Sequence, residues 1–191
     1  MSVTIVSTPG ASNANSYEEV AEANAYFTTR LFLNPAWDTA EDAAALLVWG
    51  TRLLDAMFVG RKILRIDGTN KYYVTLRKWT GAPATTTQRL SWPRTGMFDR
   101  NGNAIASNVI PQDLKDALSE LAGQLLAGDR TLDNDVSVQG VKSVKAGSVA
   151  ISFKDMILAQ VIPDAVLNLM PASWFTDELV EAAPPALFDV L

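Results

Sequence analysis

Residues 88–128 read QRLSWPRTGMFDRNGNAIASNVIPQDLKDALSELAGQLLAG, and they decide the fold because their second half is the clearest helix of the chain. After Pro111, which suits a first helical position, apolar residues recur at steps of three and four and therefore share one face. That face consists of Leu114, Ala117, Leu118, Leu121, Ala122, Leu125 and Leu126. The opposite face is polar, with Asp113, Lys115, Asp116, Glu120 and Gln124. Gly128 stands where a left-handed residue would end the helix.

The first half of this stretch is predicted to be a loop that apolar anchors hold against the core. Trp92 precedes Pro93, which favours extended backbone at the tryptophan. Trp92 could stack on a nucleic-acid base and Arg94 could bind a phosphate. We favour the alternative, in which Trp92 lies in the core and Arg94 pairs with a carboxylate or with backbone carbonyl groups.

Two turn clusters follow Arg94, and both are rich in residues that accept positive φ angles. The first contains Gly96, and the second runs from Asp99 through Gly102 to Asn103. The second cluster faintly resembles a calcium loop, but it lacks the later carboxylate ligand of such loops. We therefore predict a turn and no metal site.

Two further helices are predicted before this stretch. Ser16 would cap the first, with Glu19 as its capping-box partner, and the helix would run to about Thr29. Its helically spaced residues are Tyr17, Val20, Ala21, Asn24 and either Tyr26 or Phe27.

The second predicted helix follows a break at Asn34-Pro35-Ala36-Trp37, starts at Asp38 or Thr39 and ends near Val59. Glu41 and Asp42 would lie in its first turn. Its apolar stripe is Ala43, Leu46, Leu47, Gly50, Leu53, Leu54, Met57 and Phe58. Gly50 costs about 1 kcal/mol relative to alanine in a helix, so we predict a close helix crossing there.

Two β-hairpins are predicted, each marked by β-rich runs on either side of a turn. The first turns at Asp67-Gly68 and carries the densest basic and aromatic cluster of the chain, including Tyr72, Tyr73 and Trp79. Its basic residues are Arg61, Lys62, Arg65, Lys71, Arg77 and Lys78. This hairpin could face DNA, or its lysines could simply be solvated and discourage edge pairing, which we favour. The second hairpin turns near Gly147, after Val136, Val138, Val141 and Val144.

The C-terminal part is apolar and interrupted by Pro163, Pro171, Pro184 and Pro185. Residues 162–170 could form a short helix, and Ser173 could cap another that runs to Val180. An apolar end of this kind must dock on its own subunit or on a neighbouring protein. The candidate interface residues are Leu187, Phe188, Val190 and Leu191, together with Trp174 and Phe175.

These elements predict a mainly α (α+β) fold, with a small bundle of three principal helices, two β-hairpin insertions and an extended C-terminal tail. Residues 1–154 would form the helical domain, which includes the inserted hairpin at 61–79 and the second hairpin at 136–154. Residues 155–191 would form a docking tail.

Composition excludes several classes of function. The chain has no histidine and no cysteine, which removes the commonest general base, the commonest zinc ligand and all thiolate chemistry. Asp55, Asp67, Asp99 and Asp116 lie in ordinary helix or turn contexts, and no phosphate-binding glycine motif is present. We therefore expect no enzymatic activity, no cofactor and no metal.

Charge and hydropathy narrow the class further. The 191 residues include 48% apolar residues and carry a net charge of -5, whereas nucleic-acid binders usually have a basic excess. No apolar run approaches the ~20 residues of a membrane span, and the first residues do not follow the secretory pattern. We expect a globular protein that is assembled in a cytoplasm.

Three motifs carry a resemblance to a known family. They are LSWPRTG followed by D-x-x-G, then IPxxLKxAxxELA, and the opening ANSYEEVAEANAYF at residues 14–27. In this chain the motif positions include Trp92, Pro93, Arg94, Gly96, Asp99, Gly102 and Pro111. The combination is similar to a family of tailed-phage and prophage head–tail connector (adaptor) proteins. The same family is also described as primosomal-type and single-stranded-DNA-binding-like.

The resemblance implies a structural protein of the virion neck, which is assembled in the host cytoplasm. Such adaptors form a ring, expected to be dodecameric, beneath the portal protein. The ring extends the channel for genomic double-stranded DNA and docks the next tail or head-completion protein. The hairpin cations would then face either DNA or the portal, with no membrane partner. The alternative function is a single-stranded-DNA-binding module that uses the first hairpin and Trp92.

Overall fold

The computed structural model describes residues 3–32, 34–60, 62–67, 70–75, 77–129, 143–146, 149–152, 161–177 and 179–182. Its helices are α1 (Val20–Phe27), α2 (Asn34–Asp38), α3 (Ala43–Met57), α4 (Gln112–Leu126) and α5 (Asp164–Leu167), with one 3-10 turn at Ala172–Trp174. Its strands are β1 (Lys62–Asp67), β2 (Asn70–Thr75), β3 (Ala82–Pro83), β4 (Arg94–Thr95), β5 (Ser143–Ala146), β6 (Val149–Ser152) and β7 (Leu179–Ala182). The predicted mainly helical α+β fold is confirmed.

Helix α4 is the centre of the core. The apolar face predicted from its sequence is buried, and Leu114, Leu118 and Leu121 have no exposed surface. Pro111 is the N-cap residue, one position before the first helical residue. Gly128 follows the helix with φ of 157°, so it does not adopt the left-handed helical conformation that its position suggested. Burying each leucine stabilises the fold by about 1.5–3 kcal/mol relative to leaving it in water.

The crossing of α3 and α4 takes place at Gly50, as predicted. A Cβ atom at Gly50 would lie 2.8 Å from Cδ1 of Leu118, so the end of this buried side chain would have to move to make room for it. The absence of a side chain therefore allows the two helices to pack together. Leu47 and Leu54, one turn to either side of Gly50, are fully buried against this crossing.

The start of α1 differs from the sequence-based prediction. Glu19, and not Ser16, is the N-cap residue, and Glu22 accepts a hydrogen bond from the Glu19 N–H at 2.9 Å. Ser16 is buried, and its hydroxyl donates to the carbonyl oxygen of Glu18 at 2.7 Å. The two glutamates therefore form the box one turn later than expected, and Ala21 and Asn24 are exposed.

The predicted break at residues 34–37 is also wrong, because these residues form the short helix α2. Pro35 occupies an early helical position, where a missing N–H has no cost. Trp37 closes α2 onto α1 by stacking on Phe27, with ring centroids 4.3 Å apart. Helix α3 then starts at Ala43 rather than at Asp38 or Thr39, so Glu41 and Asp42 precede its first turn.

The first hairpin is confirmed and is extended by a third strand. β1 pairs antiparallel with β2, from Lys62 opposite Thr75 to Asp67 opposite Asn70. β7 pairs antiparallel with the other edge of β2, so the strand order is β1-β2-β7. The segment predicted to be helical from Ser173 to Val180 instead contains the 3-10 turn and the first residues of β7.

The second hairpin is confirmed where the structure describes it, since Ala146 of β5 pairs with Val149 of β6. Val136, Val138 and Val141 lie outside the described residues.

The first described part of the predicted tail packs into the core. Ile162, Val166, Met170 and Trp174 are all buried in the same cluster as α4. Residues 162–174 therefore complete the helical core rather than extend away from it.

Candidate functional site

Arg94 holds two segments of the chain together through its buried guanidinium group. Nε donates to the carbonyl oxygen of Thr80 at 2.7 Å, Nη1 to that of Ser91 at 3.0 Å, and Nη2 to that of Gly81 at 3.1 Å. Arg94 is only 7% exposed, and this burial lowers its pKa from the ordinary arginine value. Of the two alternatives for Arg94, the capping of backbone carbonyl groups is the one observed, and each of its three nitrogens donates within its own chain.

Asp55 joins the same loop to α3 and to the N-terminal segment. Its carboxylate accepts a hydrogen bond from the hydroxyl of Tyr17 and a second, at 3.1 Å, from the N–H of Ser91. Burial raises the pKa of Asp55, and the two donors partly offset that effect. Sequence reasoning placed Asp55 in an ordinary helical context, because its partners are 38 and 36 residues away.

Trp92 belongs to an aromatic cluster that closes one side of the core. Its ring centroid lies 4.7 Å from that of Trp174 and 5.7 Å from that of Trp79. Phe58 and Phe175 stack at 5.1 Å on the same cluster. Trp92 is 1% exposed and follows the prediction of a core residue, and its peptide bond to Pro93 is cis. A buried indole offers no face for a nucleic-acid base.

Asp99 forms the predicted turn. Its Oδ1 accepts from the N–H groups of Asn101 and Asn103, both at 2.8 Å, and its Oδ2 accepts from the amide of Asn103 at 3.0 Å. The amide of Asn103 is the first cause that lowers the pKa of Asp99. Gly96 and Gly102 both have positive φ angles, 72° and 82°. Within the described part of the chain, no group of three acidic side chains is arranged to hold a metal ion.

The basic residues of the first hairpin are spread along the sheet. Lys62 and Arg65 occupy β1 and Lys71 occupies β2, with Arg65 opposite Tyr72 in the register. Arg77 follows β2, and its guanidinium carbon lies 5.8 Å from the ring centroid of Phe175. Lys78 is exposed, and Arg61 lies outside the described residues. The backbone therefore places three of the predicted basic residues on two strands and two in the segment after β2.

The predicted interface residues divide into two groups. Trp174 is 1% exposed, and its Nε1 donates to the carbonyl oxygen of Phe98 at 2.7 Å. Phe175 is half-buried against Phe58. The structure thus uses both aromatic residues in the core of their own subunit, which leaves Trp174 no surface for a partner. Leu187, Phe188, Val190 and Leu191 lie outside the described residues.

Glu120 is a buried polar residue that the sequence pattern assigned to the solvent face. Its carboxylate accepts from Nε of Arg30 at 2.8 Å, from Nη2 of Arg30 at 3.1 Å and from the hydroxyl of Tyr26 at 2.9 Å. The hydrogen bond from Arg30 is the main cause that lowers the pKa of Glu120. Tyr26 and Arg30 are four residues apart, as are Glu120 and Gln124. This spacing is the feature of the sequence that could have indicated a cluster of polar side chains.

Glu18 is the second buried acid that sequence reasoning missed. It is 1% exposed, lies between the start of α1 and α4, and accepts a hydrogen bond from the hydroxyl of Ser119 at 2.8 Å. Burial raises the pKa of Glu18 to about 8. Its carboxyl group is therefore largely protonated at neutral pH. No feature of the local sequence distinguishes Glu18 from its exposed neighbour Glu19.

The described helices include none with the length and apolar character needed to cross a membrane. A family model described as "Putative DnaT-like ssDNA binding protein" matches residues 1–170. Neither the curated proteins nor the solved structures give a significant match to the chain.

Proposed function

The chain belongs to the DnaT-like ssDNA binding protein family. Because its motifs also resemble those of head–tail connector proteins, we propose that it is a structural, non-enzymatic subunit of a phage head–tail connector. It forms a ring beneath the portal protein in the virion neck, after assembly in the host cytoplasm. The ring extends the channel for genomic double-stranded DNA and docks the next tail or head-completion protein. Its mechanism is binding and geometry rather than catalysis.

The observation that carries this proposal is that Trp92 and Arg94 of the LSWPRTG loop make their contacts within their own chain. Trp92 and Arg94 are the residues in this loop best suited to stack on a base and to hold a phosphate. Both are buried, and Arg94 gives its donors to three carbonyl oxygens of its own chain. The loop therefore supports a folding role, which a structural subunit requires, better than a DNA-contacting role.

The overall charge supports the same proposal. Sixteen basic and twenty-one acidic residues give a net charge of -5. Affinity for single-stranded DNA comes largely from the neutralisation of phosphates by lysine and arginine. An acidic subunit suits a channel wall along which DNA slides without being held.

The position of β7 supports a role for the last residues in assembly. β7 runs from Leu179, opposite Thr75, to Ala182, opposite Tyr72, and so it runs towards the turn that joins β1 to β2. The chain thus leaves β7 at the end of the sheet distant from Lys78 and Trp79. Nine residues remain after Ala182, and such a segment can span up to about 30 Å when extended. We propose that Leu187, Phe188, Val190 and Leu191 contact a neighbouring ring subunit or the portal.

The test is co-sedimentation of the purified protein with purified particles that lack a tail. The proposal expects saturable binding at the stoichiometry of a single ring. A parallel titration measures binding to a labelled single-stranded oligonucleotide at increasing salt concentration. Tight, salt-sensitive oligonucleotide binding without particle binding would overturn the connector proposal, because salt dependence reports phosphate contacts.

The second candidate function is single-stranded-DNA binding, which the description of the family and the first hairpin favour. Tyr72 is half-buried on β2, and Lys78 is exposed beyond the end of this strand. If this function is correct, Tyr72→Ala combined with Lys78→Ala lowers oligonucleotide affinity at least tenfold, since one stacked base contributes about 1–3 kcal/mol. Arg89→Ala, at an exposed position in the loop before Leu90, serves as the matched loss of one positive charge.

A further inference from the structure

The turn after α1 exposes two adjacent apolar side chains, and together we name them the knob. Leu31 is 77% exposed and Phe32 is 83% exposed. Isolated exposed apolar residues are common on protein surfaces, but adjacent ones that are almost completely exposed indicate a contact site. Leucine and phenylalanine at the end of a short turn can enter a concave surface with little rearrangement of the backbone.

A surface cleft of about 410 Å³ lies near the other end of α1. Pro9, Val109 and Ile110 provide apolar lining, and Glu19, the N-cap residue of α1, lies at its edge. Val109 is itself 45% exposed, so the apolar lining is accessible from solvent. The cleft thus offers the mixed lining that receives an apolar side chain flanked by a charge.

The knob and the cleft are separated by the length of α1. Glu19 precedes the helix, whereas Leu31 follows its last residue, Phe27. Eight helical residues span roughly 12 Å, so the knob and the cleft are two different patches of one copy. Two different patches that meet head to tail form a heterologous interface, which is the type that closes into a ring.

Charge complementarity supports a second copy as the occupant of the cleft. Arg30 adjoins the knob, is 38% exposed at its side chain, and uses Nε and Nη2 for Glu120. In the cleft, Lys115 already pairs with Glu22, whereas Glu19 contacts the hydroxyl of Ser7 at 2.5 Å. The cleft therefore has one carboxylate more than it has cations. Arg30, which precedes the knob, keeps Nη1 for a further acceptor after Nε and Nη2 have bonded to Glu120.

We propose that the knob of one copy seats in the cleft of the next copy, with Arg30 directed towards Glu19. This inference rests on the proposed ring and names the two surfaces that build it. Leu31 and Phe32 would lose their contact with water against Pro9 and Val109, and the same contact would repeat around the ring.

The test uses engineered disulfide cross-linking, for which the chain is well suited because it contains no cysteine. The double variant Phe32→Cys with Val109→Cys should give a ladder of cross-linked oligomers under mild oxidation, both in concentrated solution and on tail-less particles. A mixture of the two single variants should stop at dimers that contain one copy of each. The control pair, Phe32→Cys with the exposed Thr86→Cys, should give no ladder.

The outcomes distinguish a failure of this inference from a failure of the proposed function. Phe32-to-Phe32 dimers as the main product would overturn it in favour of a symmetric contact. If the double variant binds particles at ring stoichiometry but gives no ladder there, the inference is overturned and the connector function stands. A ladder in solution without any particle binding would support the interface and overturn the connector function. Unchanged thermal unfolding of the single variants shows that the substitutions leave the subunit folded.

Discussion

Arg94 fixes the backbone of residues 80–81 to that of Ser91, and we expect its substitution to destabilise the fold. Arg94→Met would leave three carbonyl groups without their charged donor. Each hydrogen bond to a charged group contributes about 1.5–3 kcal/mol. We therefore predict a loss of about 3 kcal/mol or more in the free energy of unfolding, measured by urea denaturation.

The control for Arg94 is Arg89→Met in the same loop. Arg89 is exposed, and its backbone N–H donates to Ala11 whatever side chain it carries. Its substitution should change the free energy of unfolding by less than about 0.5 kcal/mol. Equal effects of the two substitutions would show that the buried guanidinium of Arg94 does not stabilise the fold.

Glu18 makes the stability of the protein depend on pH. Its folded pKa of about 8 lies above the reference value of 4.5, so the folded state binds the proton more tightly than the unfolded state does. Its stabilising contribution is complete below pH 4.5 and is lost as pH rises through about 8. Glu18→Gln imitates the protonated form and should remove this loss. At alkaline pH the free energy of unfolding of the variant should therefore exceed that of the parent by a few kcal/mol.

The measurement for Glu18 is urea denaturation at several pH values between 5 and about 9, the window in which the linkage operates. Glu19→Gln is the matched control, because Glu19 is exposed and its substitution should retain the pH dependence of the parent. Parallel pH curves for the parent and Glu18→Gln would contradict the assignment of this dependence to Glu18.

At the scale of elements, the packing of α3 on α4 depends on the missing side chain at Gly50. Gly50→Val would place a branched carbon near Cδ1 of Leu118, where even a single Cβ atom would lie at 2.8 Å. Overpacking of a core costs about 1–3 kcal/mol, and we expect a loss in that range by thermal or urea unfolding. Ala56→Val, on the exposed face of α3, should cost less than about 1 kcal/mol; a Gly50→Val variant as stable as this control would contradict the close crossing.

Elements with a strong local signal could be predicted from the sequence. The apolar repeat of α4, the crossing glycine at position 50 and both hairpin turns have signals within a few residues. By contrast, α2 was missed because Asn34-Pro35 also reads as a break, and a proline is tolerated at a helix start. The pairing of β7 with β2 joins residues more than 100 positions apart, and no local pattern in the sequence reports such a contact.

The polar contacts of the candidate site were the least predictable part. The 3.6-residue pattern assigned Glu120 to solvent because it weighs each residue alone, whereas Arg30 and Tyr26 supply the donors that make its burial possible. Asp55 and Glu18 share this property, since their partners come from distant elements. The burial of Trp92 could be predicted, because a tryptophan between apolar anchors favours the core. For Arg94 the sequence left two kinds of partner open, and the structure shows backbone carbonyl groups.

At the scale of the whole molecule, we predict that removal of residues 183–191 impairs assembly and leaves the subunit folded. β7 ends at Ala182, so the truncated chain keeps the three-stranded sheet and the buried cluster of Ile162, Val166 and Trp174. We expect an unchanged thermal transition and at least a tenfold loss of affinity for tail-less particles, which corresponds to about 1.4 kcal/mol. Co-sedimentation across a range of protein concentrations measures that affinity.

A variant that keeps residues 183–191 but has serine at Leu187, Phe188, Val190 and Leu191 tests whether the apolar side chains, rather than the length of the chain, are responsible for particle binding. Burying side chains of this size contributes about 1.5–3 kcal/mol each, so this variant should bind particles as weakly as the truncated chain. Normal particle binding by both variants would remove the last nine residues from the proposed interface and leave the knob and the cleft as the surfaces proposed to build the ring. Weak binding by the truncated chain alone would instead assign the contact to the backbone of this segment.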